Sequence, residues 1–389
     1  MNTSFLNKWH TAIKKCRHSV FVYAFTELNV GDDLFIRKLV SSYPDIRFVL
    51  MVQKPYREMF ARYRNVTVYE EEGFLLRACK MLRIDDRIRW RISHECDYAV
   101  FIGGSIFQEY PGWKNQHQWY RELFDHDRLY FLGCSWGVCR TKRFEEEMRG
   151  VFSEVRDICF RDRRSYNTFS ELPNVRYAPD ILFGFDWSPY AQLREKKQVL
   201  ISTVNCRSEN IGLDAHEAHY HQFLGSLTED FVARGYRVVF CAFWEGDGDL
   251  AAARMIQAAL PPRVQAQTSV VSYCGTNMEQ ILELIVESEY MVATRFHAMI
   301  LGLGAGKKVL PLIYHIKLRN ALEDLSFRSP YYDIRQLPAD TAGVIDRIGC
   351  GITAPERDAL ARSSAAHFDA FNRRENPIGS PPFPEISPK

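Results

Sequence analysis

Residues 290–298 read YMVATRFHA, and the chain continues as LGLGAG (301–306) and KVLPLIY (308–314). An apolar run of strand type gives way to Arg295 and His297, two positions apart, before small residues lead into a second apolar run. Strand, short helix and strand in this span fit a tight right-handed crossover between parallel strands. The small residues of AMILGLGAG let that helix lie close on the sheet. Arg295 and His297 then stand at the carboxyl end of the first strand and the first helical turn. A helix N-terminus favours anions through its free N–H groups and its dipole. A guanidinium there adds a planar donor fork suited to phosphate or carboxylate. An imidazole adds an acid or base that titrates near neutrality. A cation at this position works against the dipole, so an anion site is the better reading than a structural ion pair beside a buried histidine.

Outward from this unit the same kind of run recurs. It is found as SVFVYAF (19–25), IRFVLMV (46–52), DYAVFIG (97–103), RLYFLG (128–133) and DICFRD (157–162), then as QVLISTV (198–204) and RVVFCAF (237–243). Runs apolar on both faces, separated by helix-length segments, call for parallel sheets covered by helices. The fold class is α/β, with two Rossmann-like domains whose parallel sheets face a cleft. Gly, Pro and clustered charge in GFDWSPYAQLREKKQ (184–198) break the pattern and set the boundary. The expected domains are 1–188 and 196–360, followed by a tail (361–389) that ends in the Pro-rich ENPIGSPPFPEISPK. A cleft between two such sheets receives loops from the carboxyl ends of both sets of strands.

With 389 residues, the chain can bury two cores. Fifty basic against 48 acidic groups leave a net charge of +2, too little to neutralise a nucleic-acid backbone, so no nucleic-acid partner is expected. Ten cysteines without a C-x-x-C pair, no apolar signal core in MNTSFLNKWHTAIKKCRHS, and no run of about 18 apolar residues point to a cytoplasmic protein without a transmembrane segment.

Further candidates stand after the strands. Asn29, Gly31 and Asp32 follow the first, with Asp32 expected to cap the next helix. Gly103, Gly104 and Ser105 form a strand–glycine–helix junction without a GxGxxG or P-loop fingerprint. Trp113 and Trp136 are core residues or sugar-stacking platforms. Arg207 lies just past a strand, where a cleft cation would be placed. His216, His219 and His221 lack the i, i+4 spacing of zinc hydrolases, and Asp214 reads as the cap of their helix. Asp247 and Asp249 read as turn and cap acids before acid/base or magnesium candidates.

In order along the chain stand N-x-G-D at 29–32, GGS at 103–105, R-D-x-x-S at Arg161, Asp162 and Ser165, and A-P-D at 178–180. Arg207, R-F-H-A at 295–298, and Y-x-x-K at Tyr314 and Lys317 follow. This ordered set resembles the polysaccharide pyruvyl transferase family over roughly residues 20–330. Gly103-Gly104-Ser105 departs from the three glycines common there. The resemblance implies a two-domain fold similar to GT-B glycosyltransferases and a metal-independent reaction without a cofactor. Phosphoenolpyruvate would be the donor substrate. The acceptor would be a sugar of a cell-surface polysaccharide precursor, often a lipid-linked oligosaccharide. The product would be a pyruvate ketal, with phosphate released.

On this reading Arg207, Arg295 and His297 are catalytic, and Arg207, Arg295, Phe296, His297 and Lys317 bind the donor. Asn29, Asp32, Gly103, Gly104 and Ser105 hold the acceptor. A lipid-linked acceptor would bring the protein to the inner face of the membrane as a peripheral contact. The rival readings are a GT-B-type glycosyltransferase using a nucleotide sugar and a carbohydrate-binding protein without catalysis.

Overall fold

The computed structural model describes residues 19–70, 85–114 and 126–372. The amphipathic N-terminal segment and the Pro-rich stretch from residue 375 onward lie outside the described residues.

The first sheet holds β1 (Ser19–Ala24), β2 (Arg47–Val52), β3 (Val66–Glu70), β4 (Tyr98–Ile102), β5 (Leu129–Cys134), β6 (Asp157–Phe160) and β7 (Val175–Tyr177). They are all parallel, in the order β3-β2-β1-β4-β5-β6-β7. The second holds β8 (Lys196–Ser202), β9 (Arg237–Ala242), β10 (Thr268–Ser272), β11 (Ser288–Ala293), β12 (Lys308–Ile313) and β13 (Tyr332–Asp333). Its order is β10-β9-β8-β11-β12-β13, again parallel throughout. Both are doubly wound sheets, as the paired apolar runs predict. Each reverses strand order once, between β1 and β4 and between β8 and β11. Those are the crevices where open α/β sheets hold ligands.

The helices that bear on the site are α1 (Val30–Ser42), α2 (Arg163–Phe169), α3 (Glu217–Ala233), α4 (Asp249–Ala259), α5 (Phe296–Gly304), α6 (Ile316–Asp324) and α7 (Ala354–Ser364). α5 is buried along almost its whole length, as its small and apolar residues require of a crossover laid flat on a sheet. Strands β1, β4, β5, β8, β11 and β12 carry the core, with Val20, Val100, Phe131, Leu200, Val292 and Leu310 excluded from solvent. Each such side chain is worth about 1.5–3 kcal/mol relative to exposure.

Two expectations about caps are corrected. Asn29 caps α1 by accepting from the Gly31 N–H at 3.0 Å, and Asp32 points elsewhere. Asp214 starts a separate 3₁₀ turn (Asp214–His216) and does not cap α3, which begins without a side-chain cap. Part of the expected tail is also structured. After α7, residues 365–372 return to the first sheet, where Phe371 meets Tyr43 and Tyr130, and Arg176 donates to the carbonyls of Ala366 and His367.

The two sheets are joined by direct bonds. Val30 N–H donates to the Phe243 carbonyl at 3.2 Å, and Arg163 N–H donates to Asp324 Oδ2 at 2.9 Å. Glu279 of the second domain pairs with Arg37 and Arg62 of the first at 2.8 Å each.

Candidate active site

All the candidate loops lie beyond the carboxyl ends of strands, on the side of each sheet where its crevice opens. From the first domain come Asn29–Asp32 after β1, Gly103–Ser105 after β4, and Arg161 directly after β6. From the second come Arg207 in the loop after β8, Arg295–His297 after β11, and Lys317 after β12.

Arg161 is the hub of the first-domain side. Its Nη1 donates to Asp180 Oδ2 at 2.9 Å and lies 3.2 Å from His297 Nε2, while Nε donates to Ser135 Oγ at 2.9 Å. Its guanidinium carbon stands 4.1 Å from the centre of the Phe296 ring, a cation–π contact between the domains. Side-chain exposure is 3% for Arg161 and for Asp180. Gly104 makes this possible, because a Cβ there would run into the guanidinium. The R-D-x-x-S and A-P-D motifs thereby gain a physical meaning. Asp162 caps α2 by accepting from the N–H and hydroxyl of Ser165, fixing the turn that aims Arg161. Asp180 holds its far side.

His297 closes the site from the second domain. Its ring lies against Gly31, where a Cβ would overlap it, and meets Phe35 of α1 edge-on at 5.2 Å. Because Arg161 can only donate, Nε2 is the acceptor and the neutral ring carries its proton on Nδ1. Burial, then Arg161, Lys317 and Arg295, hold its pKa well below the ordinary histidine range. The expectation of a ring titrating near neutrality is therefore corrected for the free protein.

Asp32 is 8% exposed and accepts a hydrogen bond from the Gly104 N–H. Burial raises its pKa to about 6 against the pull of Arg161 and Lys317. Lys317 is half-buried at the start of α6, and its ammonium has no ion-pair partner among the described residues. Burial, then Arg161 and Arg295, lower its pKa to about 8. Arg161, Lys317, Phe296 and Ser105 line one interdomain cleft, with Trp136, Tyr177, His315, Asn320 and Asp324.

Two expected residues are placed differently. Arg295 is 8% exposed, and its donor fork is occupied by its own domain: Nε donates to Asp249 at 2.9 Å, and Nη2 to Asp247 at 2.7 Å and also to Asp249. Tyr314 takes a further bond. Asp247 and Asp249 are thus the counter-charges of Arg295, in place of the turn and cap acids expected. Ser202 Oγ accepts from the N–H groups of Thr294 and Arg295, so β8 also holds the turn. Arg207 is exposed (70% of its side chain) and paired with Glu217. It stands at the rim, linked inward because Ser208 and Asn210 of its loop bond Asp247.

Asn29 is spent on its cap, and Gly103 is backbone support beneath Asp32. His216, His219 and His221 do not converge with other ligands, and no cluster suited to a metal ion is found among the described residues. Trp136 stacks on Phe144 at 5.0 Å and turns its remaining edge to the cleft, whereas Trp113 packs edge-on to the same ring. Arg161 is the residue missed as a site member. Its signal was a cation immediately after an apolar run, the same pattern that singled out Arg295.

The family model for polysaccharide pyruvyl transferase matches residues 29–316. Among curated proteins no relative matches. Solved structures of similar fold include a putative UDP-N-acetylglucosamine 2-epimerase from Listeria monocytogenes (11% identity, TM-score 0.53, 92% of this chain and 95% of that one). Another is UDP-GlcNAc 2-epimerase from Neisseria meningitidis bound to UDP-GlcNAc (10%, TM-score 0.51, 91% and 99%). The ADP-heptose heptosyltransferase II of E. coli aligns over 89% of this chain and 98% of its own at 15% identity, with a TM-score of 0.43. At these identities the likeness to the two epimerases shows a shared two-domain architecture.

Proposed function

The chain belongs to the polysaccharide pyruvyl transferase family, and from that premise we propose that it moves the pyruvate of phosphoenolpyruvate onto two hydroxyls of a sugar in a polysaccharide precursor. The observation that carries this reading is the meeting of Arg161 and Lys317, one from each domain, on a single cleft beside His297 and Asp32. Phosphoenolpyruvate bears a phosphate and a carboxylate on three carbons, so it needs converging cations. Lys317 has no ion-pair partner among the described residues, and burial and the neighbouring arginines already disfavour its charge, so an arriving anion is stabilised there.

The methylene carbon of phosphoenolpyruvate takes a proton, leaving an oxocarbenium-like centre at C2. A sugar hydroxyl adds to C2 and gives up its proton; the C2–O bond to phosphate breaks, and the second hydroxyl closes the ketal. Of the two protons the acceptor loses, one balances that taken up by the methyl group and the other leaves with phosphate.

The bound anion would raise the pKa of His297 by the same Coulomb effect that Arg161 and Lys317 exert downward, equipping it as the proton donor. Asp32, at about 6, is largely ionised at neutral pH and suits the base that takes a hydroxyl proton. Arg161 and Lys317 stabilise the departing phosphate. Arg295 serves this site by holding the RFHA turn through Asp247 and Asp249. Arg207 would meet the substrate from the rim. Ser105 and Asp32 face the acceptor, with Asn29, Gly103 and Gly104 shaping their loops. A nucleotide-sugar donor has only the shared architecture in its favour.

Mass spectrometry of candidate lipid-linked sugars incubated with phosphoenolpyruvate tests the reaction. A pyruvate ketal increment with matching phosphate release is expected, and transfer of a glycosyl unit in its place would sink the reading.

A further inference from the structure

His315 has no part in the mechanism above. It is the N-cap of α6, and its Nδ1 accepts from the Lys317 backbone N–H at 3.2 Å. An amide N–H can only donate, so Nδ1 presents its lone pair and the neutral ring carries its proton on Nε2. The ring is half-buried and lines the cleft with Arg161 and Lys317, and Nε2 has no protein partner among the described residues. Burial, then Lys317 and Arg335, push the ring's pKa down to about 4, so it stays neutral where the protein would work. α6 turns one face to the same space: Lys317, Asn320, Ala321 and Asp324 follow i, i+3, i+4, i+7 spacing, and all four line it.

We propose that His315 is a substrate-binding residue, its Nε2–H donating to an oxygen of the anion that Arg161 and Lys317 neutralise. This rests on the phosphoenolpyruvate reading of the cleft. The residue type fits the position. Aspartate is a strong N-cap and would also accept from Lys317 N–H, but it would set a carboxylate beside the incoming anion. A third cation would add to the repulsion that already lowers Lys317. A histidine fixed by its cap supplies a donor with neither charge.

His315→Asn separates the two roles, since asparagine caps well but cannot reach the cleft with a donor. By calorimetry this variant is expected to bind phosphoenolpyruvate about 10-fold or more weakly, as befits one lost bond to a charged group, with Tm close to the parent and KM moved more than kcat. Nitrogen NMR of histidine-labelled protein is expected to show one ring held in the Nε2–H form, absent from the variant and not titrating from about pH 5.5 to 8. Affinity within about twofold of the parent, or an Nδ1–H tautomer, overturns the proposal. Inorganic phosphate is titrated in parallel. If the parent binds phosphate and not phosphoenolpyruvate, the functional reading falls and the variant's phosphate affinity decides the role of His315; if the parent binds neither, both fall.

Discussion

At the scale of single residues, charge and burial decide which cations are available. Arg295 and Arg161 both follow an apolar strand, yet Arg295 is met by two carboxylates and a phenol while Arg161 meets one carboxylate. The sequence placed Arg295 and His297 at a strand-to-helix turn correctly. Local pattern could not show that Asp247 and Asp249, some 46 positions earlier, would saturate the guanidinium. Removing one of these partners strands a buried charge, so Asp249→Ala is expected to cost about 3–5 kcal/mol in denaturant unfolding. Arg161→Ala is expected to lower kcat for phosphate release by about 10²–10³, with Arg161→Lys restoring only part of it. The pH profile of kcat/KM reports the free enzyme and is expected to lack a histidine step between about pH 6 and 8, because His297 is held neutral there. A step that vanishes in His297→Gln would contradict that assignment.

At the scale of elements, the central strands were legible because burial on both faces demands continuous apolar runs. The four strands that were missed, β3, β7, β10 and β13, are the edges of the two sheets. VTVYE and TSVVS are mostly half-buried, and such strands need no unbroken apolar face. Pro311 sits inside β12 without harm because β13 pairs only with Leu312 and Ile313. The glycines of the site divide in the same physical way. A methyl group at Gly31 overlaps the His297 ring, whereas one at Gly103 meets Ile106 at an ordinary 3.5 Å. Gly31→Ala is therefore expected to lose about 1–3 kcal/mol of stability and most of its activity, while Gly103→Ala keeps both. Thermal unfolding and phosphate release measured on the pair check this.

Across the whole molecule, the domains meet through a buried carboxyl. Asp33 of α1, 1% exposed, accepts from the hydroxyls of Tyr56 in its own domain and Tyr273 in the other, at 2.8 Å each. Burial raises its pKa to about 8, so the folded state holds a proton that the unfolded chain has lost above about pH 4. Stability from this group therefore falls as pH rises towards 8. The histidines with lowered pKa act in the opposite sense, and only below about pH 6.5. Between about pH 6.5 and 8 the parent is expected to lose up to about 1.4 kcal/mol per pH unit relative to Asp33→Asn, read from denaturant midpoints. Two α/β domains and a cleft were readable from the pattern of runs; which side chains cross that cleft was not, because each depends on contacts between residues far apart in sequence. The central claim is that Arg161 and Lys317 make the cleft a phosphoenolpyruvate site. Calorimetric titration of the parent, Arg161→Ala and Lys317→Ala with phosphoenolpyruvate, and of the parent with UDP-N-acetylglucosamine, tests it most directly. Phosphoenolpyruvate is expected to bind the parent saturably and at least about 10-fold more weakly in either variant, with no binding of the nucleotide sugar. Equal affinity in all three proteins, or binding of the nucleotide sugar alone, would contradict it.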